Sequence, residues 1–462
     1  MSDQLLEAPE RVLSTMNPDG SRRWIRPKSA MGKWWKRRRV VAWLLMILFT
    51  AVPWMSMGGK PVMLLDVVHR DFIFFGVTFQ PTEVTLLMLL MLGIFFGIFL
   101  ITSLLGRGWC GWACPQTVYL EFLYRPIERL IEGKGTGRAH KKVAKWRIAL
   151  KYVIYFGFSL HLSNTFLAYF AGPQQVLEWS FGSPSEHMTP FLIVMFVTAL
   201  IMYDFVSFRE QMCTLVCPYA RLQSVLLDRD SLIVGYDETR GEPRGKKKRK
   251  DKEVDPADAT GDCIDCGLCV AACPTGIDIR DGLQLECVAC TQCIDACDTV
   301  MEKIKRPTGL IRFASQNTLA GIAHKVLRVR VVAYPLLLVV VFGAFLFGLN
   351  NRQMGEAMFL RNQSAIAVAT PDGVVQTVIL RIDNRDDHAH SYQVELGAGV
   401  EVLGAQFPVE LEAYGSKTLN LPVRVAAEAF ANDRFTLKMR VFDEAEFTTD
   451  LHATLFAPSE SL

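Results

Sequence analysis

The chain has 462 residues and a mass of 51.9 kDa, a length that at roughly 100 to 200 residues per domain allows about three domains. Half of it is hydrophobic and only 21% is charged, with a mean hydropathy of +0.21, and 50 Lys and Arg nearly cancel 47 Asp and Glu to a formal +3. That balance excludes a disordered chain and a nucleic-acid-coating one, and it requires the apolar surplus to be concentrated somewhere.

Residues 1–39 form a basic, cytoplasmic N-terminal segment that ends in Lys33, Lys36 and Arg37, Arg38 and Arg39. Ser21, Arg22, Arg23 and Trp24 loosely match a twin-arginine leader, but the apolar run begins only at Val40 and no small-residue cleavage site follows, so the first helix reads as an anchor. Five apolar runs reach membrane length, at 40–57, 84–105, 152–170, 188–203 and 331–349. Arg107, Arg125, Arg129, Lys134, Arg138, Lys141, Lys142, Lys145 and Arg147 crowd the loop after the second run, whereas 171–187 holds no Lys or Arg. By the positive-inside rule the N-terminus and residues 208–330 are then cytoplasmic, and five crossings carry the segment after Leu349 to the periplasmic side.

Residues 40–236 read as a four-helix membrane domain with a weak internal repeat. The second helix ends in Cys110, Cys114 and Pro115, the fourth in Cys213, Cys217 and Pro218, both at the cytoplasmic end. On a helix, positions i and i+4 share a face, so each Cys-x3-Cys can present two sulfurs to one ion. If the hairpins converge, four thiolates meet and favour Cu(I), zinc or an iron-sulfur centre over hard cations. The alternatives are buried packing cysteines or a transient redox disulfide. Met212 is the one methionine assigned to such a site, as neighbour of Cys213, whereas Met88, Met91, Met195 and Met202 read as packing or lipid contact. His161 with Asn164 could ligate haem or hold a quinone, yet without a second intramembrane histidine a hydrogen bond between helices fits better.

A charged linker spans 237–260, and its basic run at 246–250 suits anionic lipid heads better than nucleic acid. Residues 261–305 carry the strongest signal: Cys263, Cys266, Cys269 and Cys273 before Pro274, then Cys287, Cys290, Cys293 and Cys297. This is two-cluster ferredoxin spacing, in which the fourth cysteine of each run serves the other cluster. One 4Fe-4S cluster is assigned to Cys263, Cys266, Cys269 and Cys297, the other to Cys273, Cys287, Cys290 and Cys293. Zinc also uses Cys-x2-Cys pairs, but two tandem four-cysteine runs argue against it. Asp298 departs from the pattern where the second run would carry proline.

A connector at 306–330 leads to the fifth helix at 331–349, and 350–462 form the last domain. There, segments 374–382, 391–396, 416–425 and 434–441 alternate apolar and polar residues, which predicts a periplasmic immunoglobulin-like β-sandwich. His388 and His390 could bind metal, although a solvated loop explains them as well.

Two Cys-x3-Cys-Pro motifs, a two-cluster insert ahead of a fifth helix and a terminal sandwich together closely resemble the cytochrome oxidase accessory protein family CcoG, also called FixG or RdxA. The resemblance covers nearly the whole chain. It implies a bacterial inner-membrane protein that reduces Cu(II) to Cu(I) for the copper centre of cbb3-type cytochrome c oxidase. Cys110, Cys114, Cys213 and Cys217 would then bind or reduce copper, and the eight cysteines from Cys263 to Cys297 would hold the clusters. The implied partners are the bilayer, copper ions, oxidase assembly factors, a copper transporter or chaperone and an electron donor not yet identified. A homodimer is compatible with this. Two other readings stand beside it: a quinol dehydrogenase subunit of a respiratory reductase system, and a non-catalytic assembly scaffold.

Overall fold

The structure is a computed structural model describing residues 14–457 except 18, 20, 69–70, 81–82, 134–142, 246–260, 324, 326, 361–366, 405–406, 432–433 and 444–446. Lys134, Arg138, Lys141, Lys142, the basic run at 246–250 and most of the 237–260 linker therefore lie outside the described residues. The chain divides into two compact units, Met1–Ala344 and Phe345–Leu462.

Among the described residues, three helices are long and apolar enough to cross a membrane: Val84–Leu105, Met188–Phe208 and Val329–Asn350. Their mean hydropathies are 2.8, 2.2 and 2.5, and at most 11% of each apolar stretch is buried. Surfaces this apolar and this uncovered need a non-aqueous surrounding. Three of the five expected spans are thus present by length and composition; the runs at 40–57 and 152–170 do not meet that measure. The first run starts as a helix at Lys33, so basic residues fill its first turns, and it stops at Ala51. Pro53 then sits in a 3-10 turn, and Ser56–Met57 returns as a strand paired with Lys60–Pro61. The third run lies within the Lys145–Ala171 helix, where Ser159, His161, Ser163, Asn164 and Thr165 dilute the apolar character.

Two elements here have no counterpart in the sequence reading. Met63–Asp66, Asp71–Phe74 and Val77–Phe79 form a three-stranded antiparallel sheet between the first two helices. A helix, Pro173–Phe181, fills the loop taken as a plain connection. Further on, Ile233–Tyr236, read as the end of the membrane domain, pairs antiparallel with Ile311–Ala314 from the connector. This ribbon encloses the cysteine-rich segment, and Val234, Tyr236, Leu310 and Ile311 join Cys263, Cys269 and Ile294 in one core.

The second unit contains two antiparallel sheets. One runs Val400–Val402, Ser416–Val425, Gly373–Asn384, Gly355–Leu360, with Val368–Thr370 pairing onto Gly373–Asn384. The other runs Val409–Leu411, His390–Leu396, Arg434–Phe442, Thr448–Phe456. Period-two alternation turns Val378, Leu380 and Ile382 of one sheet, and Leu437, Met439 and Val441 of the other, into a shared core. Burial of each such side chain is worth about 1.5–3 kcal/mol.

Candidate functional site

The two cysteine-rich loops share one backbone path. In the first, Asp265 and Gly267 flank Cys266 with φ of 50° and 65°; in the second, Ala289 and Thr291 flank Cys290 with φ of 53° and 62°. A left-handed residue on each side of the middle cysteine winds the chain into a concave loop, the kind of backbone nest that receives an anionic iron-sulfur group. Glycine adopts this conformation freely and aspartate tolerates it, but Ala289 and Thr291 store strain there. A short helix, Leu268–Ala272, then carries Cys269 and ends at Cys273, which Pro274 forces into extended backbone. The helix Gln292–Lys303 carries Cys293 and Cys297.

Two cavities sort the eight cysteines. Cys263, Cys266, Cys269 and Cys297 line one, with Tyr236 and Arg280. Cys273, Cys287, Cys290 and Cys293 line the other, with Cys269, Thr275 and Thr291 at its wall. Burial pushes the Cys269 and Cys290 thiols up to about 11 and those of Cys287 and Cys297 up to about 12. Cys293 rises further still. Four sulfurs around each apolar cavity fit a 4Fe-4S cluster, whose irons supply the charge that lets the buried thiols among them ionise. Arg280 donates to Asp278 (2.6 Å) and to Asp265 (2.5 Å), pinning the first loop and holding a cation at the wall of the first cavity.

The Cys-x3-Cys-Pro motifs do not lie on continuous helices as expected. Pro115 and Pro218 disfavour helical backbone at the residues before them, and Cys114 and Cys217 are extended, each at the N-cap of the next helix, Pro115–Tyr119 or Pro218–Leu226. Cys110 sits in the preceding helical turn Gly108–Trp112, and Cys213 in a π turn, Met212–Val216. Both motifs follow a residue of unusual backbone, Gly106 at φ 56°, ψ −128° and Arg209 at φ 47°, ψ −117°. The repeat read from the cysteines is therefore also a repeat of backbone conformation.

The structure brings these four cysteines together. Burial raises the Cys110 thiol, and Cys114 and Cys217 add to the effect. Cys213 is pushed up to about 12 by burial first, then by Cys114, Cys110 and Cys217, with Arg107 opposing. Cys114 is raised by burial, while the backbone N–H groups of Gln116 and Thr117 at its helix N-terminus pull the other way. The Cys110 thiol donates to Gln223 Oε1 (3.0 Å), and Gln223 Nε2 donates to Thr102 Oγ1 (3.1 Å) and Tyr219 Oη (2.7 Å). Met212 is half-buried at the start of the π turn.

A seam joins this site to the second cavity. Cys110, Cys213 and Tyr219 pack with Val288 and Cys290. The fully buried Arg38 donates through Nε to Gly111 O (2.9 Å) and through Nη1 to Cys290 O (2.7 Å), tying the two cysteine loops by their carbonyls. Gln292 Nε2 donates to Glu121 Oε1 (2.8 Å), and Glu121 pairs with Arg125, which also reaches Glu210. Burial would raise Glu121, but Arg125, Arg129 and Arg38 together hold it below the usual carboxylate range. Asp295 accepts from the backbone N–H of Trp34 (3.0 Å) and Trp35 (2.7 Å), capping the first helix from the ferredoxin side. Sequence reasoning counted Arg38 only as a cytoplasmic charge and missed Gln223, Gln292, Glu121 and Asp295, because nothing in their spacing marks them.

The remaining candidates have surroundings of their own. His161 is exposed on its helix, and Asn164 donates to Leu160 O (3.1 Å) and accepts from Ser180 Oγ (3.3 Å) of the neighbouring helix. Met88 and Met91 are exposed on the Val84–Leu105 span, and Met195 and Met202 are half-buried. In the second unit, Asp386, Asp387 and His388 hold their ligand atoms within 4.8 Å of one another. His390 lies between Asp386 (2.7 Å) and Asp443 (3.1 Å).

Two families match the chain: a 4Fe-4S dicluster domain over residues 208–316 and a 4Fe-4S binding domain over residues 87–134. Protein RdxB of Cereibacter sphaeroides is 31% identical over 420 residues, 86% of this chain and 85% of that protein. The nitrogen fixation protein FixG of Rhizobium meliloti is 33% identical over 311 residues, and protein RdxA of C. sphaeroides 34% over 293. Those alignments cover 65% and 61% of this chain, and each spans only 59% of the relative. Among solved structures, a FixG-related protein from Vibrio parahaemolyticus aligns over 23% of this chain and 98% of its own, at 19% identity and a TM-score of 0.20.

Proposed function

The chain belongs to the FixG/RdxA/RdxB family of polyferredoxin membrane proteins, and on that premise we propose that it delivers single electrons to a four-cysteine copper site, reducing Cu(II) to Cu(I) for assembly of a cbb3-type cytochrome c oxidase. The observation that carries this reading is the meeting of Cys110, Cys114, Cys213 and Cys217 beside Cys290. Cys263, Cys266, Cys269 and Cys297 would hold one 4Fe-4S cluster, and Cys273, Cys287, Cys290 and Cys293 the other. Bound there, the clusters supply one-electron transfer. The protein's own contribution is placement: Arg38 fixes the loop of Cys290 against that of Cys110, and apolar Val288 and Tyr219 keep water from the seam. Copper, as substrate, gains one electron and is held by soft sulfur, which prefers the reduced ion. The Gln223 side-chain carbonyl accepts a hydrogen bond from the Cys110 thiol, orienting a ligand that must both bind and release the metal.

In this reading the protein crosses the bacterial inner membrane five times. The exposed apolar side chains Val40, Leu44, Ile47, Val153 and Phe156 on the two polar-flanked helices support the extra spans. Arg328 donates to Ser103 O (3.2 Å) and Asp295 caps the first helix, which gathers several helix ends at the ferredoxin face. Cytoplasmic placement of that face follows from its Lys and Arg content. The immunoglobulin-type sandwich would then dock oxidase assembly factors or a copper carrier on the periplasmic side.

Anaerobic protein, reduced and given Cu(II), should yield chelator-trapped Cu(I) as the cluster absorbance, bleached by the reduction, recovers on reoxidation. Serine at Cys110, Cys114, Cys213 and Cys217 should slow both together. Recovery of absorbance at an unchanged rate in those variants would refute a copper role for the four cysteines. The family match at residues 87–134 favours a second reading, an additional iron-sulfur centre at the same cysteines. Analysis of the intact chain separates them: two clusters correspond to about eight irons and three to about twelve.

A further inference from the structure

A cavity of about 840 Å³ opens where the first helix meets Arg125–Glu132, next to the end of the Met188–Phe208 span, and none of the cysteines lines it. Its size is that of a ligand pocket. Its wall carries six Arg or Lys side chains against two carboxylates, Glu128 and Glu132. Those carboxylates are already engaged: Glu128 pairs with Arg209 (3.0 Å), and Glu132 with Arg26 (3.4 Å) and Lys151. Among the described residues, neither Lys28 nor Arg39 has a carboxylate partner. Lys28 is exposed at a fixed position, its backbone N–H donating to Ala271 O (2.7 Å), and the Arg39 guanidinium lies 4.9 Å from the centre of the Trp35 ring. Trp35, 8% exposed, contributes to the wall beneath the Arg39 guanidinium.

The wall also has an apolar end. Arg39 and Trp43 share a helix face one turn apart, and Trp43 points the cavity toward the exposed apolar side chains Leu44 and Ile47. Tryptophan over a cationic rim is the pattern of a membrane–water interface. A neutral amphiphile would leave the unpaired cations uncompensated, and a small anion would leave the aromatic end empty. We propose that this cavity binds one anionic phospholipid, its phosphate at Lys28 and Arg39 and its acyl chains along Trp43. The proposal is independent of the copper reading.

The test uses the full chain in zwitterionic detergent, titrated with phosphatidylglycerol brominated on its acyl chains, with tryptophan fluorescence as the readout. Saturable quenching is expected, and Trp43→Phe should remove a large part of it. A Lys28→Gln/Arg39→Gln variant should bind about tenfold or more weakly, since each cation near a lipid surface is worth about 1 kcal/mol. Inorganic phosphate should not displace the lipid. Equal quenching by brominated phosphatidylcholine, unchanged affinity in the double variant, or full displacement by inorganic phosphate would each overturn the proposal, the last by making the site one for a free anion. Unaltered cluster absorbance in the variants guards against simple misfolding.

Discussion

Gly111→Ala tests the seam between the two cysteine loops. A Cβ at Gly111 would lie 2.5 Å from Val288 O and 2.7 Å from Ala289 O, both backbone atoms of the loop that carries Cys287 and Cys290. An ordinary carbon–oxygen contact is about 3.3 Å, so the loops must part by about 0.8 Å. Overpacking of that kind costs about 1–3 kcal/mol. Arg38 spans the gap, holding Gly111 O at 2.9 Å and Cys290 O at 2.7 Å, and cannot keep both bonds once the gap opens. One lost hydrogen bond from a charged donor adds about 1.5–3 kcal/mol. The matched control is Gly108→Ala, whose new Cβ meets only Leu105 Cβ at 3.5 Å. In a helical turn that exchange should be neutral or stabilising by up to about 1 kcal/mol. The thermal midpoint of the intact chain and the rate at which Cu(II) reoxidises the reduced protein should both fall in Gly111→Ala and hold in Gly108→Ala. Wild-type stability and rate in Gly111→Ala would refute the reasoning, because the steric conflict would then have been absorbed without disturbing the contact.

Asp295→Ala removes the carboxylate that accepts from Trp34 and Trp35 N–H, a loss of about 1–2 kcal/mol for a helix cap; hydrogen exchange at the first turn of the Lys33–Ala51 helix should rise selectively, while Asp295→Asn should retain most of the protection. Alkali should destabilise the second unit through Tyr392, which burial pushes up to about 12 from 10. A raised folded-state value favours the protonated form, so this stabilisation is complete below pH 10 and is lost as pH climbs toward 12. Tyr392→Phe should flatten that part of the pH–unfolding curve, and a curve of unchanged slope would remove Tyr392 as its source. Serine at Cys263 or Cys297 should lower bound iron by about one cluster's worth and leave the electron paramagnetic resonance signal of the other cluster; loss of both signals would mean the two cavities do not load independently.

Regular spacing made part of this molecule readable and left the rest hidden. The eight ferredoxin cysteines announce two interleaved sets because tandem Cys-x2-Cys-x2-Cys-x3-Cys runs have few other uses. The strands around Leu380 and Leu437 were legible from period-two alternation. What could not be read is what depends on long-range closure. Arg38 looks like one more basic residue before a helix, yet its partners stand 73 and 252 positions away in the chain. The left-handed Ala289 and Thr291 carry no glycine to betray them. Taking each Cys-x3-Cys as one helical face overlooked the following proline, which disfavours helical backbone at Cys114 and Cys217. The Met63–Phe79 sheet was hidden because its short strands sit between two stronger membrane-length signals.

The two halves of the repeat solve one backbone problem in different ways, and the difference can be tested. Gly106 and Arg209 occupy equivalent places after their spans and share nearly the same left-handed φ with strongly negative ψ. At Gly106 a Cβ would fall 2.2 Å from Leu232 O, so sterics and backbone together demand glycine. At Arg209 a side chain fits, at a strain of about 1–3 kcal/mol. Its guanidinium pairs with Glu128 (3.0 Å) and donates from Nε to Phe205 O (3.0 Å), both in buried surroundings. Breaking a buried pair from one side costs about 3–5 kcal/mol. Arg209→Gly therefore relieves the strain and still loses about 1–3 kcal/mol on balance. Adding Glu128→Gln to Arg209→Gly should recover part of that loss, because the carboxylate left, among the described residues, with only Arg26, at 3.9 Å, disappears while the relaxed glycine remains. A single Arg209→Gly variant more stable than the parent chain would show that the ion pair is not what keeps a strained arginine at this turn.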